Sequence, residues 1–224
     1  VLRSYDNKKL FWNEYLYKLT VRSQLCTIFR NNKLMYARKE LDDLQRKADK
    51  QQPLEWTQWM RSETISLKHF EQAKVLHNIL ANSSGYTLRV EKPHICLYSN
   101  DLEWLESLGN KVDALSLHMP DPTIVDHLSK EENIVVLEKD NGCELRVTLG
   151  VQSNTAWTNW ILANQDKVKI GPVLEKQMRR PGHYVTYEGL YFYVRDDKIL
   201  QMISLLGVNI RRIDKIVCKE NLDK

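Results

Sequence analysis

A chain of 224 residues, 42% of them hydrophobic, can fill a core without disulfides or metals to staple it. Its formal net charge of +4 permits contact with nucleic acid or an acidic partner without requiring either. No run reaches the roughly eighteen apolar residues of a membrane span, residues 1–10 carry Arg3, Lys8 and Lys9 with no apolar signal region behind them, and Cys26, Cys96, Cys143 and Cys218 lie far apart like reduced, buried thiols. The expectation is a cytoplasmic protein with no membrane contact.

From the N-terminus, Tyr17, Leu19 and Val21 alternate with Lys18, Thr20 and Arg22 as a strand with one wet face does, and residues 26–29 offer a hairpin partner. Asn31 or Asn32 is placed to cap a helix running to Gln51, in which Leu34, Ala37, Leu41, Leu44 and Ala48 recur at steps of three and four. Pro53 ends it. Trp56, Trp59 and Met60 form a connector that either plugs the edge of a core or offers a stacking or docking platform. Ser62 or Thr64 opens a helix that buries Phe70, Ala73, Leu76 and Leu80, and Ser83-Ser84-Gly85 breaks it. Two strands follow over residues 86–99, interrupted at Pro93. Asp101 caps a short helix through Leu102, Leu105 and Leu108, Gly109 ends it, and residues 112–117 return as a strand.

Pro120-Asp121-Pro122 marks a boundary between an N-terminal half, residues 1–120, and a C-terminal half, residues 121–224. Residues 123–128 read as a short helix. Residues 133–138 and 144–149 read as a hairpin across Asp140-Asn141-Gly142, whose Asn-Gly pair tolerates the positive φ of tight turns. A helix over residues 154–165 turns Trp157, Trp160 and Ile161 inward. Residues 184–187 and 190–194 are strands parted by Glu188-Gly189; Asp196 or Asp197 then caps a helix carrying Ile199, Met202, Ile203 and Leu206, Gly207 ends it in a left-handed conformation, and residues 210–217 form the last strand.

Aligning Asp101 with Asp196 lays Tyr98 over Tyr193 and Leu97 over Phe192, and aligning Gly109 with Gly207 lays Val112 over Ile210. Lys18-Leu19-Thr20-Val21 likewise answers Arg146-Val147-Thr148-Leu149. The chain therefore reads as an α+β protein with mainly antiparallel sheets, a tandem duplication of a hairpin-helix-strand-strand-helix-strand unit over residues 10–119 and 130–220 whose two sheets present equivalent faces.

No phosphate-cradling glycine loop, dinucleotide glycine triplet, nucleophile elbow or paired-histidine zinc helix occurs, so no catalytic residue, cofactor or metal is assigned. His94 and Cys96 share one strand face and could begin a metal site with His118 or Cys143, but the paired close ligands of structural zinc are missing. Asp121 could supply the first carboxylate of a metal-dependent nuclease, but Glu138-Lys139-Asp140 is an imperfect substitute for the rest of such a core and Asp196-Asp197 is better explained as a helix cap than as an acid/base pair. Binding fits the residues better. Lys176, Arg179, Arg180 and His183 cluster ahead of the last strand pair, Arg195, Arg211, Arg212 and Lys215 follow, and Tyr184, Tyr187, Tyr191 and Tyr193 alternate nearby. A basic groove with aromatic stacking faces, here Tyr191 and Tyr193, is the combination that takes unpaired bases of RNA or DNA. The competing account has the tyrosines filling the core edge and the charges solvating it.

The closing segment, Gly189-Leu-Tyr-Phe-Tyr-Val-Arg-Asp-Asp-Lys-Ile-Leu-Gln-Met-Ile through Ile210-Arg-Arg-Ile-Asp-Lys-Ile-Val, resembles uncharacterised proteins carried by large tailed bacteriophages. The resemblance implies a viral origin, in the host cytoplasm or the virion. It implies either a host- or genome-directed accessory factor or a structural or assembly protein acting through protein–protein contacts, and it assigns no residue roles.

Overall fold

Leu19 and Val21, both buried from one side of a strand, begin the core of the first of two units into which the chain divides, Val1–Pro122 and Thr123–Lys224. The structure is a computed structural model that describes residues 1–58, 61–151, 156–180 and 186–222. In unit 1 the elements are strands β1 (Leu2–Ser4) and β2 (Tyr17–Arg22), helix α1 (Leu34–Asp49), a two-stranded hairpin β3 (Glu55–Gln58) and β4 (Arg61–Thr64), helix α2 (Leu67–Ala81), strands β5 (Tyr86–Glu91) and β6 (His94–Ser99), helix α3 (Leu102–Gly109) and strand β7 (Ala114–His118). The main sheet has the order β1-β7-β2-β6-β5, parallel only between β1 and β7. Leu19, Val21, Ile95, Leu97 and Leu117 face Phe70, Ala73, Leu76 and Leu80 of α2 and Leu105 and Leu108 of α3 in one apolar core.

Unit 2 contains α4 (Val125–Lys130), β8 (Ile134–Leu137), β9 (Leu145–Leu149), α5 (Ala156–Ala163), β10 (Val168–Ile170), α6 (Pro172–Met178), β11 (Tyr191–Val194), α7 (Asp197–Leu205) and β12 (Ile210–Cys218). Its sheet runs β10-β11-β9-β12-β8, parallel only between β12 and β8. Val147, Leu149, Phe192 and Val194 pack on Trp157 and Ile161 of α5, Leu174 and Met178 of α6 and Ile203 of α7.

The two sheets share strand order and direction: β8, β12, β9, β11 and β10 answer β1, β7, β2, β6 and β5 one for one. Leaving aside the parallel edge strand and the additional elements α1, β3, β4, α4 and α6, each unit reduces to a β-α-β-β-α-β chain with spatial order 4-1-3-2, the split β-α-β arrangement. The likeness reaches a local irregularity. Thr20 faces Ser116 and Val21 faces Ala114, leaving Leu115 as an extra residue, while Thr148 faces Arg212 and Leu149 faces Ile210, leaving Arg211. One β-bulge therefore stands at the same place in both units. The expected duplication is present, with one change of register: the ladders lay Ala114, not Val112, over Ile210. Because strand side chains repeat every two residues, this slip leaves every side chain on its expected face.

The two matching helices start as their sequences require. Asp101 accepts from the Trp104 N–H at 2.9 Å and Asp196 from the Ile199 N–H at 3.0 Å. Gly207 follows α7 at φ +75°, the left-handed geometry expected there. All four cysteines are unpaired and buried.

Several local expectations are corrected. Residues 26–29 are not a strand but the start of a 3-10 helix, Cys26–Asn32. Four consecutive buried side chains cannot belong to a strand with one wet face, and both edges of β2 are already taken by β6 and β7. Asn31 and Asn32 sit at φ 59° and 54°, turning the chain rather than capping α1, whose N-cap is Lys33 with no side-chain bond. Ser62 and Thr64 lie in β4; the cap of α2 is Ser66, which accepts from the His69 N–H at 3.3 Å. Trp56 is a buried strand residue whose indole N–H donates to Glu40 Oε2 at 2.9 Å, so it plugs the core edge, while Trp59 and Met60 lie outside the described residues. Asp140-Asn141-Gly142 does turn the chain, with Gly142 at φ +67°, yet β8 and β9 do not pair because β12 lies between them. Thr186 and Tyr187 are not a strand, residues 184 and 185 are outside the described set, and β11 pairs instead with β9 and β10. Glu188-Gly189 remains a tight turn, the Leu190 N–H donating to the Tyr187 carbonyl at 3.1 Å.

Candidate nucleic-acid interface

Alternation along the strands of unit 2 sends one set of side chains to the helices and the other to the opposite face. The pairing register arranges that opposite face in two rows. Lys169, Tyr193, Arg146 and Asp214 stand side by side across β10, β11, β9 and β12; Tyr191, Thr148 and Arg212 form the next row. Three cations and two tyrosines thus meet one carboxylate.

Asp214 is fully buried and holds the cluster together. Arg146 donates to its Oδ2 from Nε at 3.0 Å and from Nη2 at 2.7 Å, and Arg212 Nε lies 2.6 Å from Oδ1. Arg146 also lies under the Tyr191 ring, 4.9 Å from its centroid, and Tyr191 meets Tyr193 edge to face at 5.6 Å. Burial, followed by the neighbouring Tyr191 hydroxyl, pushes the Tyr193 phenol upward, so it stays neutral and offers an uncharged ring at physiological pH. Lys169 donates to the Asn141 carbonyl in the turn beside this face. The Asp140 and Asn141 side chains shape that turn by accepting from the Gly142 and Cys143 N–H groups at 2.7 and 3.1 Å.

Unit 1 shows what this face can take. In register its rows are Thr87, Tyr98, Lys18, His118 and Cys96, Thr20, Ser116. There the connection from β1 to β2 crosses the face. Phe11 lies 5.4 Å from the Tyr98 ring, Trp12 meets it edge-on at 5.9 Å, and the Tyr15 hydroxyl bonds Thr87 Oγ1 at 2.9 Å. Asn100 secures the crossing by accepting from the Leu16 N–H at 2.8 Å and donating to the Glu14 carbonyl at 2.9 Å. The matching connection of unit 2, residues 138–144, is shorter and has no aromatic residue. Tyr98 is consequently 4% exposed, whereas its counterpart Tyr193 is only partly buried and Tyr191, which stands where unit 1 has Cys96, keeps 43%.

Of the residues singled out from the sequence, Tyr191, Tyr193 and Arg212 come together here, and Arg195 follows β11 directly with its charge acting on Cys143 next to the turn. The others are elsewhere. Lys176 belongs to α6, which packs on the helix side of the sheet, and Arg179 at the C-terminal cap of that helix is engaged by Glu175 at 2.9 Å; Arg180 follows it. Arg211 is the bulge residue, 3.6 Å from Glu188, and Lys215 points to the face opposite Asp214, 3.4 Å from Glu131. His183 lies outside the described residues, and Tyr187 is a core residue against Trp157 at 5.1 Å. Arg146, Lys169 and Asp214 escaped the sequence reading. The signal for Arg146 was present in its match to Lys18, but its partner is 68 residues away.

His94, Cys96 and Tyr98 do share a face of β6, where the Cys96 thiol points to Glu91 at 3.7 Å and is pushed upward by burial. Among the described residues no group of three or more His, Cys, Asp or Glu converges as a metal site would, and no helix is long and apolar enough to cross a membrane. Comparison with family models, curated proteins and solved structures finds no match to this chain.

Proposed function

We propose that unit 2 binds single-stranded RNA or DNA through the sheet face carrying Tyr191, Tyr193, Arg146, Arg212 and Lys169, an interaction that involves no catalysis. The carrying observation is the pair of rows that sets two tyrosine rings beside Lys169, Arg146 and Arg212 on one sheet face. Bases stack on such rings irrespective of sequence, Lys169 and Arg212 neutralise the connecting phosphates, and the buried Arg146 supports the Tyr191 ring from beneath. Support comes from unit 1, where the matching tyrosine is covered by the aromatic side chains of Phe11 and Trp12. Such a face offers nothing comparable to a duplex, whose bases are already stacked on one another.

Fluorescence anisotropy of a labelled oligonucleotide over a salt series tests the reading. Tyr193→Ala or Tyr191→Ala is expected to weaken binding by about 1–3 kcal/mol, roughly 5- to 150-fold. Arg212→Ala weakens it across sequences and lowers the salt slope by about one. Lys176→Ala with Arg179→Ala, on the far side of the sheet, leaves affinity unchanged. No binding at low salt, or equal losses from both arginine sites, removes the reading. Loss of assembly with a protein partner in the Tyr191 variant would instead support the structural role implied by the tailed-phage resemblance.

A further inference from the structure

We propose that Ser116, His118 and Asp6 of unit 1 form a nucleophile relay in which Ser116 is activated for covalent attack on small activated carboxylic esters. The three side chains are joined in order. Ser116 Oγ lies 3.1 Å from His118 Nε2, and His118 Nδ1 lies 3.1 Å from Asp6 Oδ1. Ser116 and His118 are two apart on β7 and so share one face, the face opposite the helices. Asp6 comes from the connection that crosses that face, held there by the Asn7 N–H to the Met119 carbonyl at 3.4 Å and by Asn7 Nδ2 to the Leu16 carbonyl at 3.0 Å.

The proton positions follow from the acid. Partial burial raises the Asp6 carboxyl, but the His118 hydrogen bond and charge, with help from Ser4, outweigh this and hold it below its ordinary range. An ionised carboxylate can only accept, so neutral His118 carries its proton on Nδ1 and leaves Nε2 to accept from the Ser116 hydroxyl. That is the arrangement of roles by which serine nucleophiles are recognised regardless of fold. Around His118, Lys18 is its direct neighbour on β2 and Ser4 on β1.

The surroundings set the substrate and limit the rate. Leu2, 71% exposed, stands beside Ser116 in the β1 register, and the bulge residue Leu115 precedes it, so the acyl group to be accepted is apolar and small. β1 and β2 both pair with residues 116–118, so the backbone N–H groups around Ser116 serve ladders rather than an oxyanion hole. The expectation is therefore a stable acyl-serine rather than rapid turnover. In the step itself, a bond forms from Ser116 Oγ to the acyl carbon, the bond to the alkoxide leaving group breaks, and the serine proton passes through His118 Nε2 to that alkoxide. The equivalent positions of unit 2 hold Arg212 and Asp214, so the fold does not demand a serine and histidine here.

The test is labelling of the full chain with p-nitrophenyl acetate and with a fluorophosphonate probe, which loses fluoride as the Oγ–P bond forms. Intact mass and peptide mapping are expected to show one adduct, on Ser116. Ser116→Ala abolishes it with an unchanged melting curve, and His118→Gln slows it by about 100-fold, the low end of general-base contributions. Asp6→Asn, which loses the tautomer control, slows it about tenfold or more. A parent chain that stays unlabelled, an adduct elsewhere, or a rate that His118→Gln leaves unaltered overturns the proposal.

Discussion

Removing the carboxylate of Asp214 is expected to be among the most damaging single changes in unit 2. Asp214→Ala deletes the acceptor of both Arg146 hydrogen bonds and the 2.6 Å contact of Arg212, while the Arg146 side chain, 9% exposed, stays where water cannot replace the lost anion. Breaking a buried pair from one side typically costs about 3–5 kcal/mol, against about 5–15 kcal/mol for the whole stability of a domain. With a urea m-value near 2 kcal/mol/M, the midpoint falls by about 1.5–2.5 M. The paired change Arg146→Met with Asp214→Leu behaves differently: it removes both charges together, fills their space, and is expected to be neutral or stabilising by up to about 4 kcal/mol, with Arg212 turning to solvent. Because the chain has two units, the transition is read by hydrogen exchange of the β9 and β12 amides during urea unfolding, which isolates unit 2. A midpoint shift under about 0.5 M for Asp214→Ala, or an equal loss in the double variant, would falsify the assignment of this pair as a buried, mutually dependent unit.

The matched positions give further tests. Leu97→Ala and Phe192→Ala, both at fully buried equivalent sites, are each expected to cost about 2–5 kcal/mol, measured by urea unfolding; a loss below about 1 kcal/mol at either would mean that the two cores are not built alike. Asp101→Ala and Asp196→Ala each remove a helix cap and should cost about 0.5–2 kcal/mol, with Asn replacements at the same positions nearly silent in thermal melts. The Tyr98 phenol, chiefly because of its burial beneath Phe11 and Trp12, is pushed up to about 12 from 10.0. Its stabilising effect is complete below pH 10, where folded and unfolded chains are both protonated, and is lost between about pH 10 and 12 as the unfolded chain ionises first. Ultraviolet titration should show one late phenolate that Tyr98→Phe removes; Tyr98 titrating with the exposed tyrosines would contradict the burial.

Much of each element was legible in the sequence because its cause is local. Asp101 and Asp196 cap helices through bonds spanning three residues, and the period of two along β2, β6, β9 and β11 sorts Leu19, Leu97, Val147 and Phe192 inward and Lys18, Tyr98, Arg146 and Tyr193 outward without reference to any neighbour. The internal repeat was legible for the same reason, since each half encodes the same local choices. Strand partners were not. Backbone ladders are indifferent to side-chain identity, and a longer intervening loop adds little closure entropy, so adjacency in the chain was a poor guide to which strands pair. The Asn141-Gly142 turn suggested that β8 pairs with β9, yet β12 lies between them, and the strand after Gly189 joins β9 rather than the residues just before it. The candidate sites depend on those long-range choices. Tyr191 and Tyr193 could be named from alternation, but Arg146 reaches Asp214 across 68 residues and His118 reaches Asp6 across 112, and only the sheet order that buries both apolar faces brings those side chains into contact.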